Sequence, residues 1–476
     1  MMHSSWKFIG VLSAAYRFFG INLDVGFNQT PYAWDGSPPS QLSDNSKCSG
    51  YWSSDLTSYQ FGLPLGNGVF MPMYSSSVPT SLSHGALKVT TAVVFVHGLS
   101  GNANQYFCWA ANASAEVDPP SGGSIITIVP WFGLQQVKAQ DWSNTSLDGS
   151  PLDSSLISLF WPDNGGWTGG GAGTVESNST TASLLPELTS FGVLDAILTV
   201  LLNQTLFPRL TLITAAGLSA GGQTLQRYAW ASKMGRDALL PGPRTSPEIR
   251  FIPASMSSYA YLSPRRPSTS CRPLKNTGSS WTCNEFEIPS KYDVENCPTY
   301  HDWKYGLTFG NWSGNRTAVT PYILSSLGSN PDLAAENTKA YQYKRIIYAL
   351  GAHDSCNCQV VGYVNPGWCP PLLKNETSGL LYCQADCVPS CPVTADAPCC
   401  DTFPDATDHN SFVVNCESNL QGTSRLQRGL NFAGSLIDIY GKDFVPVVKV
   451  VKGMGHDAPA FMASDVYRTY AFYNAL

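Results

Sequence analysis

The apolar run Leu212-Ile213-Thr214-Ala215-Ala216 passes directly into Gly217-Leu218-Ser219-Ala220-Gly221, and no other junction constrains the fold of this chain as much. A short run of that character, ended by glycine, reads as a buried strand. After it, Gln223-Thr224-Leu225-Gln226-Arg227-Tyr228-Ala229-Trp230-Ala231-Ser232-Lys233 places apolar residues at three- and four-residue spacing and reads as a helix. A serine at the sharp turn between the two has a strained backbone that lifts its hydroxyl clear of the sheet. The glycines two residues to either side let neighbouring backbone pass closely. The pentapeptide alone carries little weight in a chain with 42 glycines; its setting between strand and helix is what gives it meaning.

A second strand-to-loop junction lies upstream, where Ala92-Val93-Val94-Phe95-Val96 runs into His97-Gly98-Leu99-Ser100-Gly101-Asn102. A glycine loop at that position can aim a backbone N–H at charge developing on a substrate oxygen, together with the N–H of the residue after the nucleophile. The candidate donors are the amides of Leu99 and Ala220. His97 reads as a histidine that buttresses this loop, because it precedes the serine and so stands in the wrong place for a base.

A serine hydroxyl is a poor nucleophile until a neutral imidazole accepts its proton, and a carboxylate must fix the imidazole tautomer. Candidates for both follow in the order serine, acid, histidine. Arg345-Ile346-Ile347-Tyr348-Ala349-Leu350 reads as a buried strand delivering Gly351-Ala352-His353-Asp354, and Val445-Pro446-Val447-Val448-Lys449-Val450-Val451 reads as a last strand emptying into Gly453-Met454-Gly455-His456-Asp457. Ser219 as nucleophile, His456 as base and Asp354 as orienting acid fill the three roles. Asp457, His353, Asp401, Asp405 and Asp408 are the rivals; Asp457 adjoins the base in sequence, and the other three aspartates lack a preceding strand.

Leu188 to Leu198 reads as a helix crossing over to the nucleophile strand, and Ile249-Arg250-Phe251-Ile252-Pro253-Ala254 as the strand after its helix. Strands alternating with helices imply an α/β fold with a doubly wound, mostly parallel sheet, here of the α/β-hydrolase type. Residues 1–58 read as an irregular extension, 59–261 as the first part of the core and 336–476 as the second. Residues 262–335 break the rhythm as a lid-like insertion, and 355–416 form a cysteine-rich one. Trp142 to Thr181 reads as a long glycine-bearing loop near the site; it lacks the lysine and following helix of a phosphate cradle.

Net charge is −6 without a basic run, which excludes the electrostatic footprint of a nucleic-acid binder. Of the 14 cysteines, nine fall between Cys356 and Cys416. Zinc is the other reading of such a cluster, but histidines are missing there apart from His409, and a stapled excursion with little core favours disulfides in an oxidising compartment. Sequons at Asn28, Asn112, Asn144, Asn178, Asn203, Asn311, Asn315 and Asn375 point the same way. Lys7 before Phe8-Ile9-Gly10-Val11-Leu12-Ser13-Ala14-Ala15 suggests a signal peptide cleaved near Ala15. No apolar run reaches the roughly 18 residues of a bilayer span.

From about Val93 onward the chain resembles a microbial and fungal branch of the α/β-hydrolases. The resemblance is carried by Trp167, Thr189-Ser190-Phe191 through Asp195, Phe207-Pro208, Gly217 to Gln223 and Gln226-Arg227-Tyr228. It continues in Ser257-Ser258-Tyr259, Tyr261, Arg265-Arg266-Pro267, Trp303-Lys304-Tyr305-Gly306, Asn415-Cys416-Glu417, Gln421-Gly422 and Arg425 to Gly429. It implies that fold and the Ser219, Asp354, His456 triad. Leu218 replaces the histidine familiar at the elbow, and the cysteine-rich segment directly after Asp354 is a further departure. Tyr259, Tyr261, Trp303 and Tyr305 read as core aromatics rather than pocket walls.

The expected function is a secreted serine hydrolase of carboxylic esters, small-molecule or polymeric, that needs no cofactor or metal. Amide hydrolysis or acyl transfer would use the same triad. A catalytically silent binding or adhesion protein on the same fold is the competing class.

Overall fold

The computed structural model describes residues 46–47, 57–76, 88–119, 122–162, 166–175, 185–236, 247–271, 283, 285–309, 320–327, 332–352, 354, 373–374, 381–382, 416–422, 425–452 and 454–473. Eight strands carry the fold: β1 Thr57–Gly66, β2 Val69–Ser75, β3 Val89–Val96, β4 Ser124–Pro130, β5 Leu212–Leu218, β6 Glu248–Ala254, β7 Arg345–Gly351 and β8 Val447–Val451. The sheet runs β1-β2-β4-β3-β5-β6-β7-β8. β3 through β8 pair in parallel, and β2 is antiparallel to β1 and β4. This mixed, mostly parallel sheet flanked by helices has an α/β-hydrolase-like topology.

Why the central strands are unbroken apolar runs follows from their burial on two faces. Along β3, Ala92, Val94 and Val96 enter one core cluster while Val93 and Phe95 enter the other. Ile346 and Tyr348 of β7 alternate in the same way with Ile347 and Ala349. Helices α1 Ala103–Ala115, α2 Ser190–Leu202, α3 Ala220–Ala231, α4 Asp332–Tyr341, α5 Arg425–Tyr440, α6 Ala458–Ala463 and α7 Asp465–Phe472 supply the covering layers. Residues of α2, α3 and α5 pack into the first cluster and residues of α1, α6 and α7 into the second, so the sheet is wound on both sides. Thr189 caps α2 by accepting the Gly192 N–H at 3.0 Å, and Asp457 caps α6 by accepting the Ala460 N–H at 3.0 Å.

The sheet starts earlier than the sequence suggests. Residues Ser46–Lys47 pair with the first residues of β1, inside what reads as an irregular extension. The β1–β2 hairpin closes through Gly66, Asn67 and Gly68, all with positive φ, a backbone that glycine and asparagine accept readily. Trp142 to Thr181 is no loose loop where described. It contributes the short strand Ile157–Ser158, which pairs with β2, and the 3₁₀ turn Gly166–Gly169, which buries Trp167.

The segment expected to be lid-like is attached to the body through its described residues. Within the segment Arg266–Pro267 pairs with Phe286–Glu287 and Cys271 bridges Cys283; towards the body, the Trp303 indole donates to the Gly169 carbonyl at 2.8 Å. The buried Arg266 guanidinium donates to the carbonyls of Ser263, Tyr300 and Tyr305 at 2.6–3.1 Å. Cys297 bridges Cys416 across 119 residues of sequence and joins this segment to the approach to α5. Cys108 is disulfide-bonded as well. Apart from Cys416 and the paired strands Leu373–Lys374 and Leu381–Tyr382, the cysteine-rich insertion lies outside the described residues.

Disulfides of this kind are consistent with an oxidising, extracellular or secretory environment. The sequons divide. Asn112 is 6% exposed within α1 and donates to Glu116, so burial removes it as a glycan acceptor, whereas Asn144 and Asn203 are exposed. The other five sequons, Asp401, Asp405, Asp408 and His353 lie outside the described residues. Among the described residues no helix is long and apolar enough to cross a membrane.

A cross-link spanning so long a stretch chiefly constrains the unfolded chain. Replacing Cys297 and Cys416 together by serine should therefore lower the unfolding free energy by about 2–4 kcal/mol. Denaturant melts of the double variant check this, and an unchanged midpoint would contradict it.

Candidate active site

Ser219 sits between β5 and α3 with φ 60° and ψ −118°, a left-handed backbone that side chains other than glycine rarely adopt. What holds it there is packing. A Cβ on Gly221 would lie 2.0 Å from the Val96 carbonyl oxygen, and one on Gly217 would lie 2.7 Å from the Gly221 carbonyl carbon. The turn is thus wedged against the end of β3 by backbone that cannot step aside. The Ser219 N–H donates to the Ala254 carbonyl at 2.9 Å, tying the turn to the end of β6.

The predicted amide donors share a register. Val96 pairs with Gly217 across β3 and β5, so Leu99 and Ala220 each stand three residues beyond the same rung. Ala220 opens α3 and is buried; Leu99 is 45% exposed on the glycine loop.

His97 buttresses that loop from inside the core. Its Nδ1–H donates to the Gly98 carbonyl at 2.7 Å and its Nε2 accepts the Phe132 N–H at 3.0 Å, which fixes a neutral tautomer. Trp167 meets its ring edge-on at 5.1 Å and stacks on Phe132 at 5.2 Å. Burial, against the weaker pull of the Gly98 hydrogen bond, pushes the imidazole pKa down to about 4.

The exit of β6 connects the elbow to the next strand. Ser255 has φ 43°; its N–H donates to the Ala349 carbonyl at 2.9 Å, and its hydroxyl accepts the Gly351 N–H at 3.2 Å. One rung further, Gly351 of β7 pairs with Val451 of β8. The loops after that rung carry the predicted acid and base, and the structure brings the two together. His456 Nδ1 lies 3.0 Å from Asp354 Oδ2 across 102 residues of sequence. Since a carboxylate can only accept, Nδ1 carries the proton and Nε2 is left with its lone pair.

Asp354 is fully buried and the His456 side chain is 10% exposed. Burial pushes the Asp354 carboxyl up, but the His456 charge and hydrogen bond, Arg425 and Ser255 together hold it below the ordinary aspartate range. The His456 imidazole is held below its ordinary value by burial and then by Arg425, against the opposing pull of Asp354 and Asp457. The rival Asp457 is occupied as the α6 cap.

Two residues near the acid have no signal in the strand pattern. Ser255 follows β6 as an ordinary loop residue, and Arg425 appears only within the resemblance; its Nη1 lies 3.8 Å from Asp354 Oδ1. Other residues carrying that resemblance form a buried polar frame behind α3. Arg227 donates to the Lys304 and Thr168 carbonyls and to the Ser258 hydroxyl at 2.9–3.0 Å. Tyr228 donates to Asp195 at 2.6 Å. The Gln421 amide accepts the Tyr259 N–H at 2.8 Å and donates to the Tyr259 carbonyl at 2.9 Å. Tyr259, Tyr261 and Trp303 are core aromatics, while Tyr305 is half-buried.

No group among the described residues is arranged to hold a metal ion without a competing bond. Cys297, Cys416 and Glu417 cluster, but the two sulfurs are bonded to each other and Glu417 accepts from the Thr299 hydroxyl.

No family model matches the chain, and no curated protein does. Three solved structures resemble it distantly. Poly(aspartic acid) hydrolase-1 from Sphingomonas sp. KT-1 is 12% identical over 87% of this chain and 98% of its own, with a TM-score of 0.40. LpqC, a poly(3-hydroxybutyrate) depolymerase from Bordetella parapertussis, is 12% identical over 85% and 86%, with a TM-score of 0.41. The siderophore hydrolase EstB from Aspergillus nidulans is 11% identical over 88% and 95%, with a TM-score of 0.34.

Left-handed strain at a non-glycine residue costs about 1–3 kcal/mol. Ser219→Gly should therefore be about 1–2 kcal/mol more stable than Ser219→Ala, after allowing for the greater unfolded-state freedom of glycine. Equal or reversed melting midpoints would remove the strain argument.

Because the folded pKa of His97 is lowered, the unfolded chain takes up its proton first as pH falls. Stability from this group is full above about pH 6.5 and falls by roughly 3 kcal/mol as pH drops to about 4. His97→Gln, which cannot titrate, should flatten this part of the stability–pH curve measured by chemical denaturation; an identical slope would refute the assignment.

Proposed function

We propose that the protein is a serine hydrolase that cleaves a carboxylic ester through an acyl-enzyme on Ser219. The observation that carries this reading is the 3.0 Å hydrogen bond between His456 and Asp354, built from two distant loops at the sheet edge where the strained Ser219 also sits. A buried imidazole with its Nδ1 proton given to a carboxylate has one lone pair left for a substrate proton. A structural ion pair has no need of a strained serine elbow on the same edge.

In this mechanism Ser219 Oγ attacks the ester carbonyl carbon while His456 Nε2 takes the hydroxyl proton. Asp354 holds the ring orientation and stabilises the resulting imidazolium. The amides of Leu99 and Ala220 hold the developing oxyanion. Collapse of the tetrahedral species breaks the bond to the alcohol oxygen, which leaves with the proton from Nε2. Water then attacks the acyl-enzyme as His456 takes its proton, and the acid and free serine are released. No cofactor enters these steps.

Residues 262–335 are proposed to cover this site. Their insertion between β6 and β7, next to the elbow, supports that placement. The disulfides and the exposed sequons Asn144 and Asn203 support a secreted, glycosylated protein.

Ser219→Ala should abolish covalent labelling by a fluorophosphonate probe and reduce hydrolysis of short-chain esters by at least about 10³-fold, with an unchanged circular dichroism spectrum. Undiminished labelling of that variant refutes the assignment. A folded wild-type protein that neither labels nor hydrolyses any ester in a panel graded by acyl length favours a binding role. Cleavage of amides alone, or capture of the acyl group by an added alcohol, redirects the reading to an amidase or an acyltransferase.

A further inference from the structure

The Asp354 carboxylate has two charged neighbours, a hydrogen-bonded one on Oδ2 and a longer ion pair on Oδ1, and only the first belongs to the proposed triad. Oδ2 accepts from His456 at 3.0 Å, while Arg425 Nη1 stands 3.8 Å from Oδ1. The Arg425 side chain is 7% exposed and Asp354 is fully buried. The same helix start grips the acid by its main chain, since the Leu426 N–H donates to the Asp354 carbonyl at 3.0 Å. Close packing fixes this first turn of α5. A Cβ on Gly429 would lie 2.4 Å from Leu350 of β7 and 2.6 Å from the Tyr259 hydroxyl. Behind it, Asn431 donates to the Gln421 carbonyl at 2.8 Å, and the Cys297–Cys416 bridge anchors the chain that leads in.

We propose that Arg425 is a positioning residue of the triad, whose guanidinium holds and orients the Asp354 carboxylate against His456. This rests on the hydrolase reading above. Two positive charges sharing one buried carboxylate repel each other, so a proton on His456 is disfavoured while Arg425 is present. The charged and titratable groups facing this corner come from every element packed there. They are Asp354 after β7, His456 and Asp457 after β8, Arg425 and Arg428 on α5, and Ser255 and Tyr259 after β6. Arg425 adds to the lowering of both pKa values, after burial in the case of His456 and after the His456 charge and hydrogen bond in the case of Asp354.

The test is the pH profile of fluorophosphonate labelling at Ser219 in the wild type, Arg425→Met, Arg425→Gln and Arg425→Lys, with folding checked by circular dichroism. The neutral variants should move the acid limb to higher pH by about 1 pH unit, because the imidazolium no longer meets a second cation. Arg425→Lys should restore most of that displacement, since it keeps the charge. A folded neutral variant with an unmoved limb overturns the proposal, as does a lysine variant displaced as far as the neutral ones. If neither neutral variant folds, the ring titration of His456 followed by NMR in the wild type decides; a midpoint at or above that of an ordinary imidazole overturns it. Failure of the hydrolase reading looks different. In that case Ser219 is unlabelled at every pH, and the ring titration of His456 compared between the wild type and the neutral Arg425 variants still judges Arg425 separately.

Discussion

The backbone pairing of five parallel strands, β3, β5, β6, β7 and β8, is the constraint on which everything else in this protein depends. Parallel strands in register end together, so the loops that leave them converge at one edge of the sheet. Val96 opposite Gly217 sets the glycine loop beside the elbow, and Gly351 opposite Val451 sets Asp354 beside His456. Between these pairs, the end of β6 accepts the Ser219 amide and passes Ser255 on to β7. The candidate site is therefore a property of strand register before it is a property of any side chain.

Such an edge is full of backbone polar groups and charges, and the molecule pairs several of them from within. His97 is held neutral between two main-chain partners, Arg227 spreads three donated bonds over three segments, and Gln421 clips both main-chain groups of Tyr259. A buried polar group without partners costs about 1–3 kcal/mol, so each completed set makes alternative loop placements expensive. The residues that carry the family resemblance lie largely in this frame.

The long segment between β6 and β7 reaches the same frame through Trp303 and the Cys297–Cys416 disulfide. Its fastening matters for the acid, because Cys416 leads into the turn and helix whose first residues touch Asp354 by main chain and by charge. A cross-link from Cys297 thus bears on the placement of the Asp354 carboxylate.

The amino-acid order alone determined the central strands and the strand-to-helix turn at Ser219, and it placed Asp354 and His456 after the last two strands. Burial on two faces writes a strand as an unbroken apolar run, and a strained turn demands glycine where backbone comes close. The pattern around Thr57 was less legible, since an edge strand antiparallel to its neighbour has no such run; the hairpin turn at Gly66-Asn67-Gly68 was its clearest mark. Asn112 matched a glycosylation pattern that helix packing buried. Only the tertiary structure decided that Asp457 caps a helix while Asp354 meets His456, and that Arg425 shares the carboxylate. The contacts of Asp354 join segments far apart in the chain, and local spacing carries no record of them. Sheet register and helix docking fix them in space.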